Sequence, residues 1–185
     1  MWEEVWTEKR RERKVREKCI CGVFFVPVFA RAEKFREYII KRGGNRMRQK
    51  RISDYGYRIG HHESGPRNKI TDVPGVRVGH ATVESGNQHT GVTVIVPGEG
   101  NPFLKKYLAS AYVHNGFGKT CGLVQVQEIG TLETPIALTN TLNVGKVADA
   151  MISWMIQQTK KEGEDVFSIN PVVGECNDSR INEIC

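Results

Sequence analysis

The sequence predicts a domain that combines β-strands with a long α-helix. Residues 91–97 (GVTVIVP) are β-branched and almost continuously apolar, which indicates a central strand closed by its terminal proline. Apolar residues recur with a helical period along one stripe of residues 143–156. Between them, the apolar run 135–138 leads into the small polar residues 139–143. Architectures that mix helices and strands commonly place ligands at such a joint, although Asn and Thr also serve there as helix caps.

The region before this joint contains weaker signals. Val76 and Val78 alternate with polar residues after a Pro-Gly turn, as in an edge or half-buried strand. Residues 109–113 form a further short strand candidate, and residues 123–126 are a short apolar run. The glycine loop 115–119 matches neither common phosphate-binding spacing, so we interpret its glycines as backbone requirements.

The predicted helix has recognisable ends, and a strand is predicted after it. Asn143 is a plausible N-cap, and Lys160 and Lys161 suit the carboxyl end of the helix dipole. Residues 166–173 indicate a strand with an irregularity at its proline. The polar cluster 174–178 follows and is placed at that strand's end.

Bulk composition is that of a globular protein. The 185 residues suffice for one domain plus an appendage, and the hydrophobic and charged fractions are 39% and 26%. Residues 1–51 hold 16 Lys/Arg against 7 Asp/Glu, a balance of +9, whereas residues 52–185 hold 11 against 14, a balance of −3. The split argues against a nucleic-acid function for the main domain. Five irregularly spaced cysteines suggest neither a disulfide framework nor a zinc site, so a reducing, cytoplasmic location is the default.

The N-terminal segment differs from the rest of the chain in its pattern of charged and apolar residues. Residues 1–18 mix charges of both signs, as in a solvated helix. Residues 19–30 are apolar but too short to span a bilayer, which needs about 20 residues. A basic lead and an apolar core resemble a secretory signal, but the acids in the lead and Pro27 in the core favour a chain that is not exported. We expect either a natural start at Met47 or an extension, residues 1–46, outside the core fold.

The polar residues form few recognisable catalytic or metal-binding motifs. No Ser-His-Asp arrangement or G-x-S-x-G motif is present, and the five histidines lack metal-binding spacing, which favours surface or hydrogen-bonded roles. Cys176 is either a nucleophile or, without an identified base, a small packed residue. Glu175 suits recognition of a cationic group such as a substrate ammonium. A loop carboxylate that caps backbone N–H groups is an equally open interpretation.

Six blocks, in order, strongly resemble the L-aminopeptidase/D-esterase (DmpA-like) family, which includes the β-peptidyl aminopeptidases. The resemblance covers residues 51–185 almost without a break and does not include residues 1–46. The blocks are RISDYGYRIG (51–60), NKITDVPGVRVGHATV (68–83), TGVTVIVP (90–97), HNGFGK (114–119), VQEIGTLETPIALTNTLNVG (126–145) and NPVVGECND (170–178).

The resemblance implies an α+β fold, an α/β/β/α sandwich similar to N-terminal nucleophile hydrolases, with residues 47–185 as its first part. Family members cut themselves before a serine, which becomes the nucleophile of an acyl-enzyme, with its new α-amino group as a base. An oxyanion hole stabilises the intermediate. No metal and no cofactor are implied. Peptides and aminoacyl amides are the implied substrates, and neither nucleic acid nor a membrane is an expected partner.

Only two site residues carry over from the family, both for substrate binding. Glu175 is expected to hold the substrate's free amino group, and Asn177 falls where the family places another pocket-lining side chain. The block 139–141 is expected to be structural and near the site. No catalytic residue is assigned, because the chain stops at Cys185, before the family's cleavage serine.

Two hypotheses of function follow. In the first, the chain is the N-terminal part of a self-processing aminopeptidase that needs a C-terminal, nucleophile-bearing chain and assembles as a homo-oligomer. In the second, it is a catalytically inactive, truncated homologue that acts as an interaction or assembly partner.

Overall fold

The computed structural model describes residues 50–184. The predictions for the segment 1–46, including its solvated helix, its apolar stretch and the start at Met47, lie outside the described residues and stay predictions. No helix within residues 50–184 combines the length and the apolar character that crossing a membrane requires.

The described part of the chain contains six β-strands and two α-helices, joined by turns and short 3-10 segments. In chain order they are β1 (Arg77–Ser85), β2 (Gln88–Val96), β3 (Tyr107–Leu108), α1 (Leu123–Ile129), β4 (Thr131–Leu132), β5 (Ile136–Thr139), α2 (Val144–Lys161) and β6 (Val172–Glu175).

Four strands form the main sheet in the order β1-β2-β5-β6. Strands β1 and β2 make an antiparallel hairpin, β5 runs antiparallel to β2, and β6 runs parallel to β5. The predicted central strand is confirmed, since β2 lies between two partners. The strand predicted around Val76 and Val78, as an edge or half-buried strand, is β1, which lies at the edge of the sheet. Helix α2 connects β5 to β6, as a parallel pair requires.

Helix α2 packs on one face of this sheet along the predicted apolar stripe. The stripe is buried because it meets the alternate residues of β2, β5 and β6 that point to the same face. Burial of each such Val or Met side chain contributes about 1.5–3 kcal/mol. The cluster consists of Val92, Val94, Ala137, Val144, Val147, Met151, Met155 and Val173.

The opposite face of the sheet is covered in part by α1 and by a two-stranded sheet, β3-β4. Here Val126 and Leu132 pack against Val172, with Ile136 beside them. On the same sheet face, the β1 residues His80 and Thr82 are exposed. The main sheet therefore has a helix on one face and a smaller sheet with a helix on part of the other.

Two predicted strands are wrong or displaced. Residues 109–113 form no strand, because Ala109 donates its N–H to Gly130 and no partner strand continues beside it. The predicted strand 166–173 begins only at Val172 and runs on to Glu175. The N–H of Asn170, just before it, is bonded instead to the Glu133 carboxylate.

The apolar run 123–126 forms the first turns of helix α1 rather than an extended segment. Gly122 and Gly130 adopt left-handed φ values of 82° and 73° at the two ends of this helix. Only Val126 is buried on it, against the β3-β4 layer. A short helix with one buried position has too little periodicity to be distinguished from a strand by pattern.

Candidate functional site

The parallel pairing of β5 and β6 brings two polar turns to one edge of the sheet. Thr139, the last residue of β5, is the register partner of Glu175, the last residue of β6. Cys176 extends the pairing by donating its N–H to the Thr139 carbonyl oxygen at 2.8 Å. The polar cluster was predicted at a strand's end, and this placement is confirmed.

Glu175 is held at both carboxylate oxygens. The Thr141 hydroxyl donates to Oε1 at 2.7 Å, and the backbone N–H of Lys119 donates to Oε2 at 2.5 Å. Three sequence blocks that are distant in the chain, the glycine loop, the turn after β5 and the end of β6, therefore meet at one half-buried carboxylate. The hydrogen bond from the Lys119 backbone N–H also means that Glu175 caps a backbone N–H group through one oxygen, as the alternative interpretation expected.

These contacts favour the ionised form of the carboxyl group. The hydrogen bond from Thr141 lowers the pKa of Glu175 most, and the Lys119 N–H and the nearby Lys119 ammonium act in the same direction, against a smaller opposing effect of burial. The ammonium lies over the Phe117 ring, 3.9 Å from its centroid, and donates to the Phe117 carbonyl oxygen at 3.0 Å. Glu175 is thus a fixed anion near neutral pH.

The turn after β5 is braced from the central strand. Asn140 Oδ1 accepts from the backbone N–H of Asn143 at 3.1 Å and from the Asn143 side-chain amide at 2.7 Å. The Asn140 amide donates to Thr90 Oγ1, on β2, at 2.9 Å. Asn143 occupies the predicted N-cap position of α2, but the side-chain cap comes from Asn140 and serves the 3-10 turn.

Asn177 borders an open groove of about 500 Å³ on the β1–β2 side of the same edge. Its side-chain oxygen, Oδ1, accepts from the backbone N–H of Ser179 at 3.1 Å and from the Ser179 hydroxyl at 2.8 Å, which leaves its side-chain amide for other partners. Cys176 also lines this groove, whereas Glu175 does not. Strand alternation explains the difference, because Glu175 projects toward α2 and Cys176 toward the other face.

The histidines and cysteines of the described region form no further recognisable site. All five histidines are exposed, and His80 Nδ1 lies 2.8 Å from Thr93 Oγ1 on the neighbouring strand. No group of three or more His, Cys, Asp or Glu side chains within residues 50–184 is arranged to hold a metal ion. Cys176 is a free, exposed thiol.

The contacts of Thr141 and Lys119 with Glu175 were not predicted from the sequence. Both residues belong to blocks that the resemblance singled out, and that was the available signal. The hydrogen bonds join residues 34 and 56 positions apart. The Thr141 contact depends on the parallel register of β5 and β6, and the Lys119 contact depends on the antiparallel pairing of Cys121 with Val173; no local pattern specifies either.

The fold is the one found in a class of α+β aminopeptidases. Residues 68–185 match the model of peptidase family S58, and the chain belongs to that family. The resemblance to the L-aminopeptidase/D-esterase family is thereby confirmed.

Named relatives agree with this assignment. The chain is 42% identical over 130 residues to the β-peptidyl aminopeptidase BapA of Sphingosinicella xenopeptidilytica, which covers 65% of this chain and 32% of that protein. It therefore spans about a third of the length of the curated relatives it matches.

Solved structures confirm the fold class. A β-aminopeptidase from Burkholderia sp. superposes with a TM-score of 0.61 at 43% identity, over 72% of this chain and 38% of that one. The L-aminopeptidase D-Ala-esterase/amidase of Ochrobactrum anthropi, described as a variant of the N-terminal nucleophile hydrolase fold, superposes with a TM-score of 0.58 at 28% identity, over 68% and 38%. The predicted N-terminal nucleophile-like architecture is confirmed by these matches.

Proposed function

We propose that this chain supplies the amine-binding portion of a self-processing serine aminopeptidase. That enzyme would release N-terminal residues from peptides, amides or esters through an acyl-enzyme. The observation that carries the proposal is the Glu175 carboxylate, which is held ionised by Thr141 and Lys119 at the end of a parallel strand pair.

The geometry of Glu175 suits a protonated amine. Each carboxylate oxygen accepts one internal hydrogen bond and keeps a further lone pair for a ligand. A charge-assisted hydrogen bond from an ammonium group is stronger than a neutral one, so a free N-terminus is preferred over an acylated one. Asn177, whose side-chain oxygen is bonded to Ser179 and whose amide is left for a ligand, is the second proposed substrate contact.

The nucleophile of this proposed enzyme lies on sequence outside these 185 residues. The match covers about a third of its relatives, and no residue of the described region is assigned to nucleophilic attack or to the oxyanion hole. A nucleophile-bearing C-terminal chain is therefore the proposed partner, and paired chains would form the homo-oligomer. The proposed domain, residues 47–185, provides the substrate amine with its anchor.

The test separates binding from turnover. The purified 185-residue chain is mixed with L-alaninamide and, as control, with N-acetyl-L-alaninamide, and binding is followed by NMR chemical shifts. We expect the free amine alone to bind, and Glu175→Gln to abolish binding. Equal binding of both ligands would refute amine recognition. Turnover of an amino-acid p-nitroanilide by the purified chain, lost in Glu175→Ala, would refute the external nucleophile.

A second candidate function is that of a catalytically inactive assembly partner. It is favoured by the large apolar side chains that stand exposed around β3, the glycine loop and α1, because such surface typically marks association. These residues are Leu108, Tyr112, Phe117, Val124 and Ile129. Analytical ultracentrifugation of the chain distinguishes this function, which predicts a stable oligomer that binds no amine.

A further inference from the structure

Thr141 supplies a side-chain hydrogen bond to Glu175. Lys119 contributes its backbone N–H to Oε2, so that contact does not require a particular side chain at position 119. Thr141 contributes its hydroxyl to Oε1, a bond that disappears when the hydroxyl is removed. A change at Thr141 therefore alters the orientation of the carboxylate without touching the carboxylate itself.

The position of Thr141 is itself imposed by buried neighbours. Asn140 and Asn143, the residues on either side of the turn, are buried and bonded to each other. Asn140 also donates to Thr90, which is buried on the central strand. These bonds tie the turn to the sheet on one side and to the start of α2 on the other, so Thr141 has little freedom to move.

The orientation of the Glu175 carboxylate matters for ligand binding because Glu175 is the last residue of its strand. Its side chain has three rotatable bonds and is only half-buried, so packing alone does not select one rotamer. The apparent Kd of a ligand equals its intrinsic Kd divided by the fraction of time that its partner spends in the binding-competent conformation. Two hydrogen bonds from different segments restrict the carboxylate to one arrangement before the ligand arrives.

We propose that Thr141 is a positioning residue, whose hydroxyl holds the Glu175 carboxylate in the arrangement that receives a substrate ammonium, and that Asn140 locks the turn that carries it. The inference rests on the proposed function, because the ammonium is the ligand of that function. The orientation of Glu175, however, can be measured in the absence of any substrate.

The first experiment measures the Glu175 titration alone. The side-chain carboxyl carbons of glutamate are labelled with ¹³C, and the pKa of Glu175 is followed in the wild type, Thr141→Val and Thr141→Ser. We expect the pKa to rise in Thr141→Val, since the largest stabilising contact is lost, and to stay low in Thr141→Ser. Thr131→Val is the matched control, because the buried Thr131 hydroxyl has no hydrogen-bond partner among the described residues.

The second experiment measures binding of L-alaninamide to the same variants. Loss of one hydrogen bond to a charged group predicts a Kd about tenfold higher for Thr141→Val, with recovery in Thr141→Ser. Thr131→Val should bind as the wild type does. If Thr141→Val fails to fold, Thr141→Ala is compared with Thr141→Ser in its place.

The outcomes separate this inference from the proposed function. A folded Thr141→Val chain with an unchanged Glu175 titration and an unchanged Kd overturns the positioning role. Unchanged binding by Glu175→Gln overturns the proposed function instead, while the titration still decides whether Thr141 orients the carboxylate. A raised pKa and a weakened Kd, both restored by serine, support the inference.

Discussion

Thr139 and Glu175 are direct partners in the register of the parallel strands β5 and β6. The two turns that follow therefore start at the same level of the sheet. One carries Thr141 and the other carries Asn177. The shared level is what allows the Thr141 hydroxyl to reach Glu175 at 2.7 Å.

The lowered pKa of Glu175 predicts how amine binding depends on pH. The carboxylate stays ionised above its folded-state pKa, which lies below the ordinary glutamate value of 4.5. Binding of L-alaninamide should therefore persist to lower pH than an ordinary glutamate allows and decline only as the pH falls through the folded pKa. On the alkaline side it should decline as the ligand amine deprotonates, near about pH 8. An NMR binding series across pH checks both the acid and the alkaline decline. An acid-side loss of binding whose midpoint lies above the ordinary glutamate pKa of 4.5 would contradict the assignment to Glu175.

Substitution by alanine should lower stability by different amounts at the two glycines with left-handed φ that lie at the ends of α1. At Gly130, with φ at 73°, an added Cβ meets nothing within 4 Å, so only backbone strain of about 1–2 kcal/mol is expected. At Gly122, with φ at 82°, the Cβ would lie 2.2 Å from the Pro171 carbonyl oxygen. Gly122→Ala should therefore destabilise by clearly more than Gly130→Ala, as urea unfolding measures. Equal losses would show that the close approach of α1 to β6 is absent in solution.

Glu133 should contribute stability that depends on pH. It is buried, and burial alone would raise its pKa, but the Asn170 N–H, the Lys106 ammonium and the Gln125 side chain together lower it. The Lys106 ammonium lies 3.1 Å from Oε2. Because the folded pKa is lowered, the stabilisation is present above the unfolded pKa of about 4.3 and is lost as the pH falls through the folded value.

Glu133→Gln tests this contribution. We expect Glu133→Gln to lower the free energy of unfolding by about 1–2 kcal/mol at neutral pH, a modest value because Lys106 is partly exposed to solvent. The difference from the wild type should be smaller in acid. Denaturant unfolding at several pH values provides the measurement. Glu128→Gln, on an exposed position of α1, is the control and should leave stability nearly unchanged. A Glu133→Gln difference that does not vary with pH would argue against the ion pair.

The same substitution at two buried threonine hydroxyls should have different effects. Thr159 Oγ1 accepts from the Asn101 side-chain amide at 3.0 Å, and both residues are buried. Thr159→Val leaves that amide unsatisfied and should destabilise by about 1–3 kcal/mol. Thr131→Val removes a buried hydroxyl that has no partner within residues 50–184 and should be neutral or mildly stabilising. Thermal unfolding of both variants provides the comparison, and a larger loss in Thr131→Val would contradict it.

Strong local periodicity made some elements predictable. The apolar stripe of α2 and the β-branched run of β2 each bury a full face, so their patterns are unambiguous. The segment 109–113 and helix α1 are short and bury few side chains, so propensity gave the wrong structure for the first and no helix for the second. Glu175 was predicted at a strand's end, but its partners Thr141 and Lys119 were not.

Local sequence determined that a central strand, a long amphipathic helix and a carboxylate at a strand's end exist in this protein, and its blocks indicated the family. Only the tertiary structure decided that the glycine loop, the turn after β5 and the end of β6 meet at Glu175. The reason is physical: helix and strand periods arise from interactions within a few residues. The two hydrogen bonds to this carboxylate arise instead from long-range pairing, the parallel register of β5 with β6 and the antiparallel pairing of Cys121 with Val173.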